Sequence, residues 1–167
     1  MFYVDETITH RGFILRHLQR RRPQTYFRPQ GGLGQGLGIG LGAKLAARDR
    51  PVVVIVGDGS FMYNPVIQSL ALSHHQDLPI MIVVSNNNGY QAMKKEHHAF
   101  YPDGVSAANN LYFGEPVTDL EYAELPNLFG GFGRRVERAA DLQTAIKDGL
   151  AAVEGGKTAI LNVMVDP

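Results

Sequence analysis

The chain has 167 residues, 16 Lys plus Arg against 16 Asp plus Glu, no Cys, and 44% apolar against 19% charged residues. That length predicts one domain, spanning residues 1–167, with a sizeable core. Zero net charge excludes a broad electrostatic grip on nucleic acid or on an anionic membrane, and the missing cysteines exclude disulfide scaffolds and thiolate metal sites.

The longest apolar runs, Val52 to Val56 and Ile80 to Val84, fall far short of the roughly 20 residues that span a bilayer. The first ten residues carry Asp5 and Glu6 and lack an apolar signal-peptide core, so a cytoplasmic location is expected. Residues 8–20 (ITHRGFILRHLQR) place Phe13, Ile14 and Leu18 on one helical face, with Thr7 or Thr9 as N-cap and Pro23 beyond the end. The Arg20-Arg21-Arg22 run reads as a solvated helix end. Residues 51–56 (PVVVIV) read as a buried parallel strand that stops at Gly57-Asp58-Gly59. A helix is expected from Pro65 to His74, then a second buried strand over Ile80 to Val84, ending in Ser85-Asn86-Asn87-Asn88-Gly89. Residues 91–126 are mixed in pattern and broken by Pro102, Gly104, Gly114 and Pro116, which suggests loops, with Tyr101 to Gly114 ordered only against a partner. A short strand falls within Gly130 to Val136, a helix over Leu142 to Val153 capped by Asp141, and a last strand over Thr158 to Val165. Apolar strands alternating with helices predict an α/β fold: an open parallel sheet with helices on both faces.

Glycine is the one anomaly of composition, with 19 residues, and Gly31, Gly32, Gly34, Gly36, Gly38, Gly40 and Gly42 crowd one stretch. Two readings stay open there. One is a helix whose glycine face packs closely on a neighbour; the other is a loop-to-helix entry whose bare backbone faces a ligand. A dinucleotide fingerprint fits poorly, because it needs a strand before it and an acidic residue about 20 positions later.

The two strand ends carry more. In open α/β sheets ligands bind outside the carboxyl ends of the strands, so Gly57-Asp58-Gly59-Ser60 and Asn86-Asn87-Asn88-Gly89 can reach one site. Glycines flanking Asp58 leave N–H groups free at the start of the next helix, where a phosphate is well held. Asp58, an asparagine amide and the Gly89 carbonyl are three oxygen donors that, with phosphate oxygens and water, suit octahedral Mg²⁺.

At these residues the chain resembles the thiamine-diphosphate enzymes, whose motif runs from Gly-Asp-Gly to Asn-Asn. The resemblance extends from Asp5 to Pro167 and is nearest to the diphosphate-binding domain of the benzoylformate decarboxylase and acetolactate synthase group. It is carried by GGLGQGL, GIGLGAKLAARDRPVVVIVGDGS and the asparagine turn. It implies thiamine diphosphate and Mg²⁺ as cofactors. Asp58, Asn87 (or its neighbour Asn86) and Gly89 would hold the metal. Gly57, Gly59 and Ser60 would hold the diphosphate, with Tyr63 and Thr7 beside it. Leu33 would wedge between the two cofactor rings, and the Gly31 carbonyl would accept from the 4′-amino group. The asparagine turn comes slightly later than in the usual pattern, with the extra length at Ser73 to Asp77, a helix end.

The resemblance also implies the substrate, a 2-oxo acid, and the partner, a pyrimidine-binding domain of the same or another chain carrying the glutamate that protonates N1′. The chain is then a fragment or a subunit of a larger enzyme holding half a site, in a homo-oligomer. Met93 replaces the glutamate that pyruvate decarboxylases place after the asparagine motif, and no Trp follows near His97 as it does in acetolactate synthases. The expected activity is therefore that of a decarboxylase or carboligase, with His97 and His98 as candidate acid–base groups. The alternatives are a natural small subunit of a split decarboxylase and a non-catalytic phosphate- or dinucleotide-binding domain.

Overall fold

The computed structural model describes residues 1–19, 22–112, 117–118 and 120–166. In chain order the elements are β1 (Phe2–Glu6), α1 (Arg11–His17), β2 (Tyr26–Phe27), α2 (Gly36–Ala46), β3 (Val52–Gly57), α3 (Asp58–Tyr63) and α4 (Val66–His75). They continue as β4 (Met81–Asn86), α5 (Gln91–Phe100), α6 (Val105–Asn109), a 3₁₀ helix (Tyr122–Phe129), β5 (Phe132–Val136), α7 (Ala139–Glu154) and β6 (Ala159–Met164). The six strands form one sheet in the order β2-β1-β3-β4-β6-β5, and every neighbouring pair is parallel. All carboxyl ends therefore share one edge.

Alternation along the central strands feeds two cores. Val52, Val54 and Val56 of β3 join Ile80, Ile82 and Val84 on one face, covered by Leu37 and Leu41 of α2 and Leu70 of α4. Val53 and Met81 face the other way, against Ala145 and Val153 of α7. Valine and isoleucine suit strands buried on both faces, which explains why the runs are unbroken.

The glycine-rich stretch divides between its two readings. Residues 31–35 form the entry and α2 begins at Gly36. Within α2, a Cβ on Gly40 would sit 2.4 Å from Val54 Cγ2, so this glycine sets how closely α2 lies on β3. Gly38 faces open space. A tighter approach lies elsewhere: a Cβ on Gly133 of β5 would lie 1.7 Å from the Ala123 carbonyl oxygen. Gly133→Ala is thus expected to cost roughly 3 kcal/mol, about 10 °C in Tm, by forcing the 3₁₀ helix off the sheet. Gly38→Ala, in contrast, is expected to stabilise by roughly 0.5–1 kcal/mol, and thermal melts of the two variants check both signs.

Several expectations are corrected. The helix expected over 8–20 spans only Arg11–His17, with His10 at its N-cap, no buried residue, and Phe13 exposed rather than on a packed face. Neither Thr7 nor Thr9 caps it; Thr7 instead bonds back to Asp5. The last helix starts from Arg138, and Asp141 lies in its first turn, paired with Arg138 at 2.7 Å. Residues 91–126 hold α5, α6 and the 3₁₀ helix instead of loops alone. Part of the Tyr101 to Gly114 segment is helical, while Phe113 and Gly114 lie outside the described residues, as do Arg20 and Arg21 of the arginine run. The added length at Ser73 to Asp77 falls at the end of α4, where Asp77 takes a φ of 52°.

Candidate functional site

β3 ends at Gly57 and the chain turns at once into α3, so Asp58, Gly59 and Ser60 stand at the sheet's carboxyl edge with their helix N-terminus toward it. β4 ends beside it, and Gly57 pairs with Ser85 in register. The two turns meet at Asp58: the Gly89 N–H donates to Asp58 Oδ2 at 3.0 Å. Around them lies an open cleft lined by Thr7, His10, Leu33, Gly57, Asn87 and Met93, among others. The two strand-end motifs therefore line one cleft.

Asp58 is buried, with 4% exposure. Burial pushes its carboxyl up from the ordinary value, while the N–H groups of Gly59, Gly89 and Asn88 pull the other way. The three asparagines separate cleanly. Asn86 is turned into the sheet, where its amide donates to Asn162 Oδ1 at 3.0 Å and accepts from Asn88 N–H at 2.9 Å. Asn87 lines the cleft, with its amide oxygen 3.3 Å from the Gly89 nitrogen. Asn88 takes a φ of 51°, the left-handed turn that swings Gly89 back toward Asp58.

Leu33 projects into the cleft from the glycine-rich entry and is 39% exposed. Its position is fixed by Gly34, whose φ is 89° and whose Cβ would fall 2.4 Å from the Tyr63 carbonyl oxygen. Any side chain there would lift the Leu33 turn off the end of α3. Gly31, at φ 82°, belongs to the same entry and, like Tyr63, is not part of the cleft lining. The Tyr63 ring, largely exposed, stands edge-on to Tyr90 at 6.3 Å. Ser60 and Thr7 line the cleft and are buried. The Thr7 hydroxyl already donates to Asp5 Oδ1 at 2.6 Å, so it offers the cleft an acceptor. Met93 sits on the rim, shared with a neighbouring groove that holds His97, Tyr101 and Tyr112. His97 and His98 thus stand outside the cleft, with the His98 ring paired to the Tyr112 hydroxyl.

Sequence reading missed two features. Glu6 ends β1 almost fully buried and accepts from Gln35 N, Gly36 N and Asn64 Nδ2, all at 2.9 Å. It caps α2 and ties the Leu33 entry to β1 and α3. His10, missed inside the expected helix, lines the cleft with Nδ1 3.0 Å from Ser85 Oγ. The donors Asp58 Oδ, Asn87 Oδ1 and the Gly89 carbonyl are oxygens only, which suits a hard cation. Among the described residues no group of three or more His, Cys, Asp or Glu gathers as a metal centre. A cation on these three oxygens would be completed by oxygens of water or of a ligand. A Cβ on Gly57 would meet nothing within 4 Å, which leaves room for that ligand at the α3 N-terminus.

The thiamine pyrophosphate enzyme, C-terminal TPP binding domain family matches residues 8–163. The chain belongs to that family. Thiamine pyrophosphate is thiamine diphosphate, and the domain is the one that the Gly-Asp-Gly and asparagine motifs suggest. Curated relatives of this TPP-binding domain include a probable chloroplastic acetolactate synthase 2 of Oryza sativa, 32% identical over 151 residues, 86% of this chain and 22% of the relative. A sulfoacetaldehyde acetyltransferase of Alcaligenes xylosoxydans is 26% identical over 151 residues, 89% of this chain and 24% of that protein. Among solved structures, the thiamine diphosphate-dependent 4-hydroxybenzoylformate decarboxylase of Rhodococcus jostii superposes with a TM-score of 0.80 at 28% identity. It covers 99% of this chain and 29% of its own. The chain spans less than a quarter of the length of these curated relatives. Among the described residues no helix is long and apolar enough to cross a membrane.

Proposed function

We propose that this TPP-binding domain holds thiamine diphosphate through Mg²⁺ and supplies one half of the active site of a 2-oxo-acid decarboxylase or carboligase. The single observation that carries the reading is the Gly89 N–H bond to Asp58, which joins both motifs on one cleft with Asn87 beside them. In this reading Asp58, Asn87 and the Gly89 carbonyl ligate the metal. The N–H groups of Gly59 and Ser60, with the Ser60 hydroxyl, hold the diphosphate at the helix start. When bound, thiamine diphosphate supplies the electron sink that lets a 2-oxo acid lose CO₂. The chain's own part is to bind, to orient through Leu33 and the Gly31 turn, and to offer an apolar rim from Leu33 to Met93 that keeps water out once a partner covers it. Met93 offers the substrate side chain a flexible apolar wall in place of a titratable group. The pyrimidine-binding partner domain, from the same or a second chain, closes the other wall. Support for such a cover comes from exposed apolar side chains at and near the cleft, Ile8, Leu33, Met62, Tyr63 and Met93.

Thermal-shift measurements test the metal–diphosphate reading. Thiamine diphosphate with Mg²⁺ is expected to raise Tm by several degrees, and thiamine diphosphate with EDTA to raise it little. Equal shifts in both would overturn the metal assignment. Light scattering tests the cover: the chain is expected to self-associate in the absence of a partner domain, and a strict monomer would count against an unpartnered apolar rim.

The cation also makes binding pH-dependent. Protons compete for Asp58, so binding is expected to weaken as pH falls through the raised Asp58 pKa. The stability of the ligand-free chain runs the opposite way. A folded pKa above the unfolded one means that the native state binds more protons, so this group's contribution falls as pH rises from the ordinary carboxylate range through the raised value. Melts with and without ligand across pH 4 to 7 are expected to diverge as pH rises.

A further inference from the structure

Asn162 of β6 is fully buried, yet it is polar at both ends of its amide. It pairs in register with Val84 of β4 and Arg135 of β5, which puts Asn86, two residues after Val84, diagonally across on the same face. The 3₁₀ helix brings Glu121 over this spot. Glu121 Oε1 accepts from Asn162 Nδ2 at 2.7 Å and from Ala123 N–H at 3.0 Å, and Oε2 accepts from Arg135 at 2.9 Å. Burial works against the Glu121 charge, but Ala123, Asn162 and Arg135 together hold its carboxyl below the usual range.

A carboxylate only accepts, and that fixes the direction of everything beyond it. Asn162 must turn its NH₂ to Glu121, so its oxygen faces Asn86. Asn86 must then turn its own NH₂ to Asn162, at 3.0 Å, and its oxygen faces the asparagine turn. There it accepts from Asn88 N–H at 2.9 Å and holds the left-handed residue that separates Asn87 from Gly89. An acidic group at the sheet edge thus sets the polarity of a buried amide chain that ends at the cleft.

We propose that Glu121 is a positioning residue for the metal loop, acting through Asn162 and Asn86 to keep Asn87 and Gly89 turned toward Asp58. The inference rests on the metal reading of the cleft. A glutamine at 121 accepts with one atom only, so it cannot serve Arg135 on one side and Asn162 with Ala123 on the other. The anchor of the amide chain is then weakened, although the Asn88 N–H still sets its direction from the far end.

The test uses Glu121→Gln, Asn162→Ala and the exposed Arg135→Ala in the full chain, with two readouts. In the ligand-free chain, hydrogen exchange of the Asn88 amide is expected to quicken about tenfold in Glu121→Gln and Asn162→Ala. The Mg²⁺ needed for half-maximal thiamine diphosphate binding is expected to rise about tenfold in both, with affinity at saturating Mg²⁺ nearly unchanged. Arg135→Ala is expected to shift it about two- to threefold, and Glu121→Asp, which keeps the charge, to restore the parent value in large part. Unchanged Asn88 exchange and an unchanged Mg²⁺ midpoint in Glu121→Gln would overturn the positioning role, even with a lowered Tm. If Asn162→Ala fails to fold, the two Glu121 variants decide alone. Faster Asn88 exchange in the variants, with thiamine diphosphate binding by the parent independent of Mg²⁺, would overturn the metal reading while keeping the structural chain of amides, so the two failures are distinguishable.

Discussion

Asp58→Ala is expected to weaken Mg²⁺-dependent thiamine diphosphate binding by about 100-fold or more while the chain stays folded. Among the described residues Asp58 is the only acidic one lining the cleft, so no neighbouring carboxylate there takes over the cation. The fold tolerates the change because Asp58 heads a short helix, and the Gly89 N–H it releases still lies 3.3 Å from Asn87 Oδ1. Asp58→Asn should separate function from stability more sharply. It keeps an acceptor near Gly89 and removes a buried charge that has no ion pair among the described residues. At pH 7.5 the ligand-free Asp58→Asn chain is expected to be more stable than the parent by roughly 1 kcal/mol. Calorimetric titration gives the first number and urea unfolding the second. Parent-like Mg²⁺-dependent binding in Asp58→Ala would remove Asp58 from the metal site.

The chain alone, saturated with thiamine diphosphate and Mg²⁺, is expected to decarboxylate at least about a thousand-fold more slowly than the same chain with a pyrimidine-binding partner. The cleft lining shows why. Asp58 is committed to the cation in this account, and His10 already lies against Ser85 and the Asp166 carbonyl. Neither is available to protonate the pyrimidine nitrogen. Leu33 is left 39% exposed, so water is not excluded on that side. Charge stabilisation of this kind depends on a dry, closed site. CO₂ release from benzoylformate, pyruvate and longer 2-oxo acids, measured with and without a complementary domain, checks the claim. Fast turnover by the chain alone would refute the half-site.

The central sheet was legible because β3, β4 and β6 are buried on both faces and so read as apolar runs, broken in β6 only by Asn162. β1 was not, because FYVDE ends in Asp5 and Glu6, and carboxylates ordinarily signal exposure. Both are buried, at 0% and 5% exposure, held by neutral donors that only the fold brings near: Tyr26, Gln35, Gly36 and Asn64. α5 was missed for a related reason. Only Gln91 of its residues is buried, so it carries no core-facing apolar stripe to read. The meeting of Asp58 and Gly89 was foreseeable, since adjacent parallel strands end on one edge. The choice between Asn86 and Asn87 was not. It depends on Asn162, a residue 76 positions from Asn86 that nothing in the sequence marks as its partner. His97 and His98 lie beyond Met93 because α5 leads away from the cleft, a direction the residues themselves do not announce.

The most direct measurement of the central claim is a crystal of the chain grown with thiamine diphosphate and Mn²⁺, examined for anomalous scattering. The account predicts one strong peak in the cleft, at the position that Asp58 Oδ, Asn87 Oδ1 and the Gly89 carbonyl oxygen would hold. A diphosphate bound in the cleft with no ion at those three oxygens, or an ion ligated by Asn86, would contradict it.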